Sequence, residues 1–212
     1  MGNEEDQGGS LWQRLEQGDQ EALAELFSQH RERLWRMVHF RLDRRLHGRV
    51  DADDVLQEAY LDALQRLPHY LQQRNMSFFV WLRCIVGQTL VDIHRKHLGA
   101  QMRAADREIP IHNALSNTTS VSLAAQLLGH LTSPSQAAMR HELARQLEEA
   151  LEKMNPIDRE VLALRHFEEL TNSEVAEVLG IQQKAASIRY VRAVKRLKQI
   201  LSEVPGMEGE VG

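Results

Sequence analysis

The sequence predicts an all-α protein built as two small helical domains joined by a flexible linker. Leu, Ala, Arg, Glu and Gln, all good helix formers, dominate its 212 residues. Twelve glycines and 5 prolines are too few for a turn-rich β fold. Helical periodicity fills two stretches and fails between them, at 108–135, where Ser, Thr and Asn clusters take its place. A hydrophobic content of 42% is enough to fill ordinary cores and excludes outright disorder.

Residues 1–9 read as a frayed tail, and 10–107 as the first domain. A short helix is expected at Leu11 to Gln17. Asp19, after Gly18, then N-caps a helix carrying Leu23, Leu26, Phe27, Leu34, Met37 and Val38 at helical spacing, running to about Leu46. Asp51 caps the next, whose stripe is Leu56, Tyr60, Ala63, Leu64 and Leu67 and which Pro68 should stop. Ser77 caps a third, with Leu82, Ile85, Val86, Thr89 and Ile93 inward and Arg95, Lys96 and Arg103 in its last turns. These helices can share one core.

The linker, 108–135, has room for a short helix at Val121 to Leu131. Fully extended it would span roughly 90 Å. The second domain, 136–203, begins with a helix from Gln136 to Met154, followed by one that Pro156 opens from its first turn and that runs to Phe167. Residues 204–212 read as a second tail.

Charge is distributed unevenly along this frame. The net charge is −4. Lys plus Arg against Asp plus Glu number 15 to 16 over 1–107, none to one over 108–135, and 11 to 13 over 136–212. Yet Lys184, Arg189, Arg192, Lys195, Arg196 and Lys198 occupy a stretch without a single acid. That is a basic helix on an acidic protein. No run of eighteen apolar residues occurs, and the acidic start MGNEEDQGGS lacks the pattern of a secretory signal, so a soluble cytoplasmic protein without membrane insertion is expected. The single cysteine, Cys84, leaves no internal disulfide and no multi-cysteine zinc site.

The strongest functional signal runs from Thr171 to Leu201. Ser173 can cap a short helix bearing Val175, Ala176 and Leu179, and Gly180 supplies the left-handed residue of a tight turn. Ile181 then starts the buried side of a second helix through Ala186, Tyr190, Ala193 and Leu197. This is a helix-turn-helix pattern. Gln182, Gln183, Lys184 and Ser187 fall where side chains reach base edges, and Arg189, Arg192 and Arg196 where phosphates would lie. Against it stands a plain helical hairpin with a solvated basic face.

In DADDVLQEAYLDAL, Asp54, Gln57, Glu58 and Leu61 share the outer face of a helix at i, i+3, i+4 and i+7. Composition alone does not separate a solvated surface from a docking surface for a partner helix. In NMSFFVWLRCIVGQTLVDIHRKH, aromatics precede a helix that ends in basic residues, after a segment holding Tyr70, Gln72, Gln73 and Asn75. Such interleaving suits unstacked single-stranded bases, but taken alone it better suits core aromatics before a helix whose C-terminus is balanced by Arg and Lys. His94 and His97, at i and i+3, lack further metal ligands nearby.

Taken in order, GDQEALAELF, DADDVLQEAYLDAL, FFVWLRCIVGQTLVDIHRKH and MNPIDREVLALRHFEELTNSEVAEVLGIQQKAASIRYVRAVKRLK resemble the extracytoplasmic-function class of bacterial sigma factors, over about Leu11 to Leu201. The resemblance implies a region-2 helical bundle followed by a region-4 helix-turn-helix. It implies core RNA polymerase as partner, through the clamp helices of its largest subunit and the beta flap, with promoter DNA as ligand and an anti-sigma factor as a further candidate partner. Asp54, Gln57, Glu58 and Leu61 then match the polymerase-docking positions. Tyr70 and Asn75 fall in the loop that captures a flipped base of the −10 element, and Trp81, Gln88, Asp92 and Arg95 on the helix along the melted strand. Gln182, Gln183, Lys184, Ser187, Arg189 and Arg192 would meet the −35 element. Ile188 stands where a small polar residue is common, and Tyr190 where an aliphatic is usual. No nucleophile, metal cluster or phosphate-cradling glycine loop is visible, so no cofactor is expected and catalysis falls to polymerase. Two other classes fit the residues: a stand-alone helix-turn-helix regulator with an N-terminal sensor domain, and a helical adaptor.

Overall fold

The computed structural model describes residues 4–98, 119–131 and 137–203, and among them there are helices and no strand. The chain divides into two compact units, Met1–Ala105 and Asp106–Gly212. The first contains α1 (Glu4–Glu16), α2 (Gln20–Arg41), a 3-10 turn at Arg44–Leu46, α3 (Ala52–Gln72) and α4 (Phe78–Leu98). The second contains α5 (Thr119–Leu131), α6 (Ala137–Glu152), α7 (Pro156–Leu162) with a π-helical turn at Ala163–Phe167, α8 (Asn172–Leu179) and α9 (Gln183–Glu203).

In the first unit α2, α3 and α4 pack on one another in every pairing, and α1 closes the bundle against α2. Leu23, Leu34, Val38, Val55, Ala59, Leu82, Val86 and Leu90 form its core. Asp19 accepts a hydrogen bond from the Glu21 amide at 2.9 Å and Asp51 one from the Asp53 amide at 3.2 Å, so both N-caps expected for α2 and α3 form. Three boundaries differ from expectation. Helix α1 begins at Glu4, inside the stretch expected to be a tail. Helix α2 ends at Arg41, and the chain reaches Leu46 through a separate turn. Helix α3 passes through Pro68 to Gln72: the proline is exposed, and the burial of Leu67 and Tyr70 on the opposite side holds the last turn in place.

In the second unit α6 packs on α5 and α9, and α7 and α8 pack on α9. Residues 119–131, placed in the linker with room for a short helix at Val121 to Leu131, do form a helix, and it packs as part of this unit: Leu123, Ala124 and Leu128 are buried, and α5 packs against α6 and α7. Apolar spacing at i, i+1 and i+5 gave that segment a face to bury. A free extended connection across all of 108–135 is therefore excluded, while 108–118 and 132–136 lie outside the described residues, as do 204–212 and Arg103. Asn155 caps α7 through the Ile157 amide at 3.0 Å, with Pro156 in the first turn. Thr171, not Ser173, caps α8: its hydroxyl accepts from the Glu174 amide while Glu174 accepts from the Thr171 amide at 2.7 Å. This reciprocal capping box satisfies two amides, which a cap at Ser173 would leave unmet.

Candidate nucleic-acid interface

Helix α3 buries Val55, Leu56, Ala59, Ala63 and Leu67, which turns Asp54, Gln57, Glu58 and Leu61 outward. All four are exposed, Leu61 at 54%. Asp53 beside them is held by Arg31 at 2.6 Å. The predicted outer face thus exists, polar with one apolar spot. A surface cavity of about 490 Å³ opens at its N-terminal end, lined by Trp35, His39, His47 and Arg49 and reaching Asp54. Trp35 and His39 are stacked in its wall at 4.9 Å. Nothing in the spacing of those residues had marked them, because they lie on α2 and on the turn beyond it.

The aromatic segment is arranged differently from expectation. Tyr70 does not lie in a loop: it is in the last turns of α3, 4% exposed, stacked on Trp81 at 4.5 Å. Its hydroxyl donates to the Met76 carbonyl at 3.1 Å. Trp81 is buried as well, and Phe78 and Phe79 close the same cluster. Tyr70 and Trp81 therefore belong to the core of the free unit and support the turn at 73–77 from beneath. The apolar area of such rings drives them inward when neighbouring rings are available. Asn75 remains exposed in that turn, its amide donating to the Gln73 carbonyl at 3.0 Å.

Along α4, which is buried over most of its length, half-buried Gln88 and exposed Asp92 and Arg95 share one face, with Lys96 and His97 also exposed at the helix end. The Gln88 amide lies 3.5 Å from Asp92, and Asp92 lies 3.7 Å from Arg95. His94 points the other way. It is buried, and its Nε2 accepts a hydrogen bond from the Asp43 amide at 3.2 Å, while burial holds its pKa below the ordinary imidazole value. Among the described residues no three metal-binding side chains gather.

In the second unit Gly180 ends α8 in the left-handed conformation (φ 62°), and its amide caps α8 by donating to the carbonyls of Ala176 and Glu177. Helix α9 buries Ala186 and Ala193, small enough to let it cross close to its neighbours. Gln182, Gln183, Lys184 and Arg192 are exposed, and Ser187 is half-buried with its hydroxyl donating to the Gln183 carbonyl at 3.2 Å. Arg189 departs from the expected set of open cations: it pairs with Asp158 of α7 at 2.9 Å. Tyr190 is half-buried, its hydroxyl 3.1 Å from His166, with Arg165 over its ring at 5.3 Å. The reading from spacing missed Val191, which is 66% exposed, and gave Ile188, 45% exposed, no part in recognition. Both lie on the same open face as Lys184 and Lys195, where an aliphatic group can meet a thymine methyl.

Two helical units, the second ending in a helix-turn-helix with an open cationic face, define a DNA-binding transcription protein. Residues 26–98 match the family model for Sigma-70 region 2, and residues 144–197 that for Sigma-70, region 4. The chain is 26% identical over 193 residues to the ECF RNA polymerase sigma factor BldN of Streptomyces coelicolor, covering 91% of this chain and 65% of BldN. It is 22% identical to the ECF RNA polymerase sigma factor SigW of Bacillus subtilis, covering 90% of this chain and 94% of SigW. The RNA polymerase sigma factor CarQ of Myxococcus xanthus is 26% identical, with 91% and 96% covered. Among solved structures, CnrH, described in complex with the cytosolic domain of CnrY, shares the fold at a TM-score of 0.51 and 23% identity, covering 91% of this chain and 96% of CnrH. The chain belongs to the sigma-70 family, in its extracytoplasmic-function class. Members of this family direct RNA polymerase to promoters.

Proposed function

We propose that the first unit docks on core RNA polymerase and opens the −10 element, and that the second reads the −35 element. The face of α3 formed by Asp54, Gln57, Glu58 and Leu61 meets the clamp helices of the largest subunit, and the second unit meets the beta flap. The exposed turn around Asn75 and the stripe Gln88, Asp92 and Arg95 follow the melted strand. Gln182, Gln183, Lys184, Ser187 and Arg192 contact the −35 duplex, and Arg189 does so only if it leaves Asp158. The protein works in the cytoplasm beside polymerase and performs no chemistry of its own. CnrH, whose fold this chain shares, is described with the cytosolic domain of CnrY, and the proposal includes a protein partner of that kind.

The observation that carries this reading is the outer face of α3, where Leu61 is 54% exposed among polar neighbours without a fold-stabilising task. Charge supports it. A basic protein binds DNA everywhere through counterion release, whereas a chain of net charge −4 needs polymerase to add phosphate contacts and to hold two weak DNA sites in register. The test is a titration of labelled protein against core enzyme. Gln57→Ala combined with Glu58→Ala should weaken binding by about 2 kcal/mol or more, near 30-fold, without loss of helicity. Unchanged affinity would remove this face from the docking site.

A further inference from the structure

Helix α1 carries none of the docking or base-contacting positions proposed above, yet its last turn touches the turn that carries Asn75. Arg74, the only charged residue at 73–77, donates to Glu16 of α1 at 2.6 Å. Its guanidinium lies 5.2 Å from the ring centroid of Trp12, one turn earlier on α1. Trp12 in turn meets Phe78 edge-on at 5.1 Å. The pair is open to water, with the side chain of Arg74 41% and that of Glu16 51% exposed. An ion pair so exposed is weak and costs little to open. A phosphate offers the same paired oxygens to the guanidinium fork with more charge, and so competes well for it.

We propose that Arg74 is a phosphate-binding residue of the melted −10 strand, and that Glu16 masks it in the free protein. The inference rests on the reading that the turn at 73–77 contacts that strand. Trp12, 5.2 Å from the guanidinium, holds it beside the turn whether its partner is the carboxylate or the strand. Glu16 then lowers affinity for any nucleic acid that cannot supply a phosphate at that place, in keeping with the acidic balance of the whole chain.

A merely structural role for the pair, as a strut between α1 and the turn, gives a different expectation, and binding of a single-stranded −10 oligonucleotide to reconstituted holoenzyme separates the two. Masking predicts opposite signs. Glu16→Gln should tighten binding about two- to five-fold. Arg74→Ala should weaken it and reduce the slope of log affinity against log salt by roughly 0.7, the value for one single-strand phosphate. Glu16→Gln should have no effect in an Arg74→Ala background. A strut predicts that both single changes weaken binding, and that result would overturn the proposal, as would an equal gain from Glu16→Gln with Arg74 absent. If Asn75→Ala weakens binding while Arg74→Ala leaves affinity and slope unchanged, the mask falls and the loop reading stands. If neither substitution changes binding, the loop reading falls and the mask with it.

Discussion

Tyr70 and Trp81 in the first unit lie stacked at 4.5 Å and nearly inaccessible, whereas Lys184, Ile188, Val191 and Arg192 in the second project from a helix whose buried side along that stretch is Ala186 and Ala193. Both segments carry side chains suited to nucleic acid, and they dispose of them in opposite ways. In the first, rings large enough to stack on bases are also the best material for a small core, and the core takes them. In the second, alanines at the crossing bring α9 close to its neighbours and leave no space for long chains, which must stay outside. An aromatic residue is therefore a weak indicator of a binding surface, and an acid-free run of cations on one helix a strong one, since burying an unpaired charge costs far more than burying a ring.

Stability measurements break or sharpen this contrast most strongly. Trp81→Ala and Tyr70→Ala should each destabilise the first unit by about 3–5 kcal/mol in chemical denaturation, as for other large buried rings. Arg192→Ala should stay within about 0.5 kcal/mol of the parent. A wild-type denaturation midpoint for Tyr70→Ala would return that ring to the DNA surface.

A smaller effect is expected at the start of α8. Thr171→Ala removes the hydroxyl half of the capping box and should destabilise the second unit by about 1 kcal/mol, read as a lowered thermal midpoint. Ser173→Ala should change it little.

Within α9 the two arginines should part company. Arg192 is exposed and its loss should flatten the salt dependence of holoenzyme binding to duplex −35 DNA by about one unit, without altering sequence preference. Arg189 is tied to Asp158, whose side chain is 19% exposed, so Arg189→Ala should also lower stability by leaving that carboxylate without its partner. Equal behaviour of the two variants would mean that the Arg189 pair does not hold in solution.

The smallest effect is a pH dependence confined to the first unit. His94 is held below its ordinary value of 6.5 by burial, with Arg45 adding to the shift and Asp43 opposing it. The unfolded chain therefore binds the proton more readily than the folded one. The stabilising contribution is complete above the unfolded value and is lost as pH falls from there through the folded value. Protonation also turns the Nε2 acceptor of the Asp43 amide into a donor facing a donor. Chemical denaturation should show the first unit weakening as pH falls below the ordinary imidazole value, and His94→Gln should flatten that dependence.

Much of this was legible in the sequence. Asp19 and Asp51 marked helix starts because each accepts from free amides at a helix N-terminus, Pro156 because it brings no amide to leave unmet there, and Gly180 marked a turn because only glycine enters the left-handed region without strain. The outer face of α3 followed from spacing alone. Tertiary choices were not legible. Pro68 looked like a stop, and the helix continues because Tyr70 gains a ring partner from α4. Thr171 and Ser173 are chemically alike as caps, and Glu174 decides between them from three residues after Thr171. The Arg189 and Asp158 pair joins residues 31 apart, so no local pattern reveals it.

The central claim is that neither unit alone suffices and that core polymerase combines them. Affinity for duplex promoter DNA, measured at one salt concentration for the free chain and for the reconstituted holoenzyme, tests it most directly. The account predicts weak, sequence-indifferent binding by the free chain and tight binding by holoenzyme that requires both the −10 and −35 elements. Tight, sequence-specific binding by the chain without polymerase would contradict it.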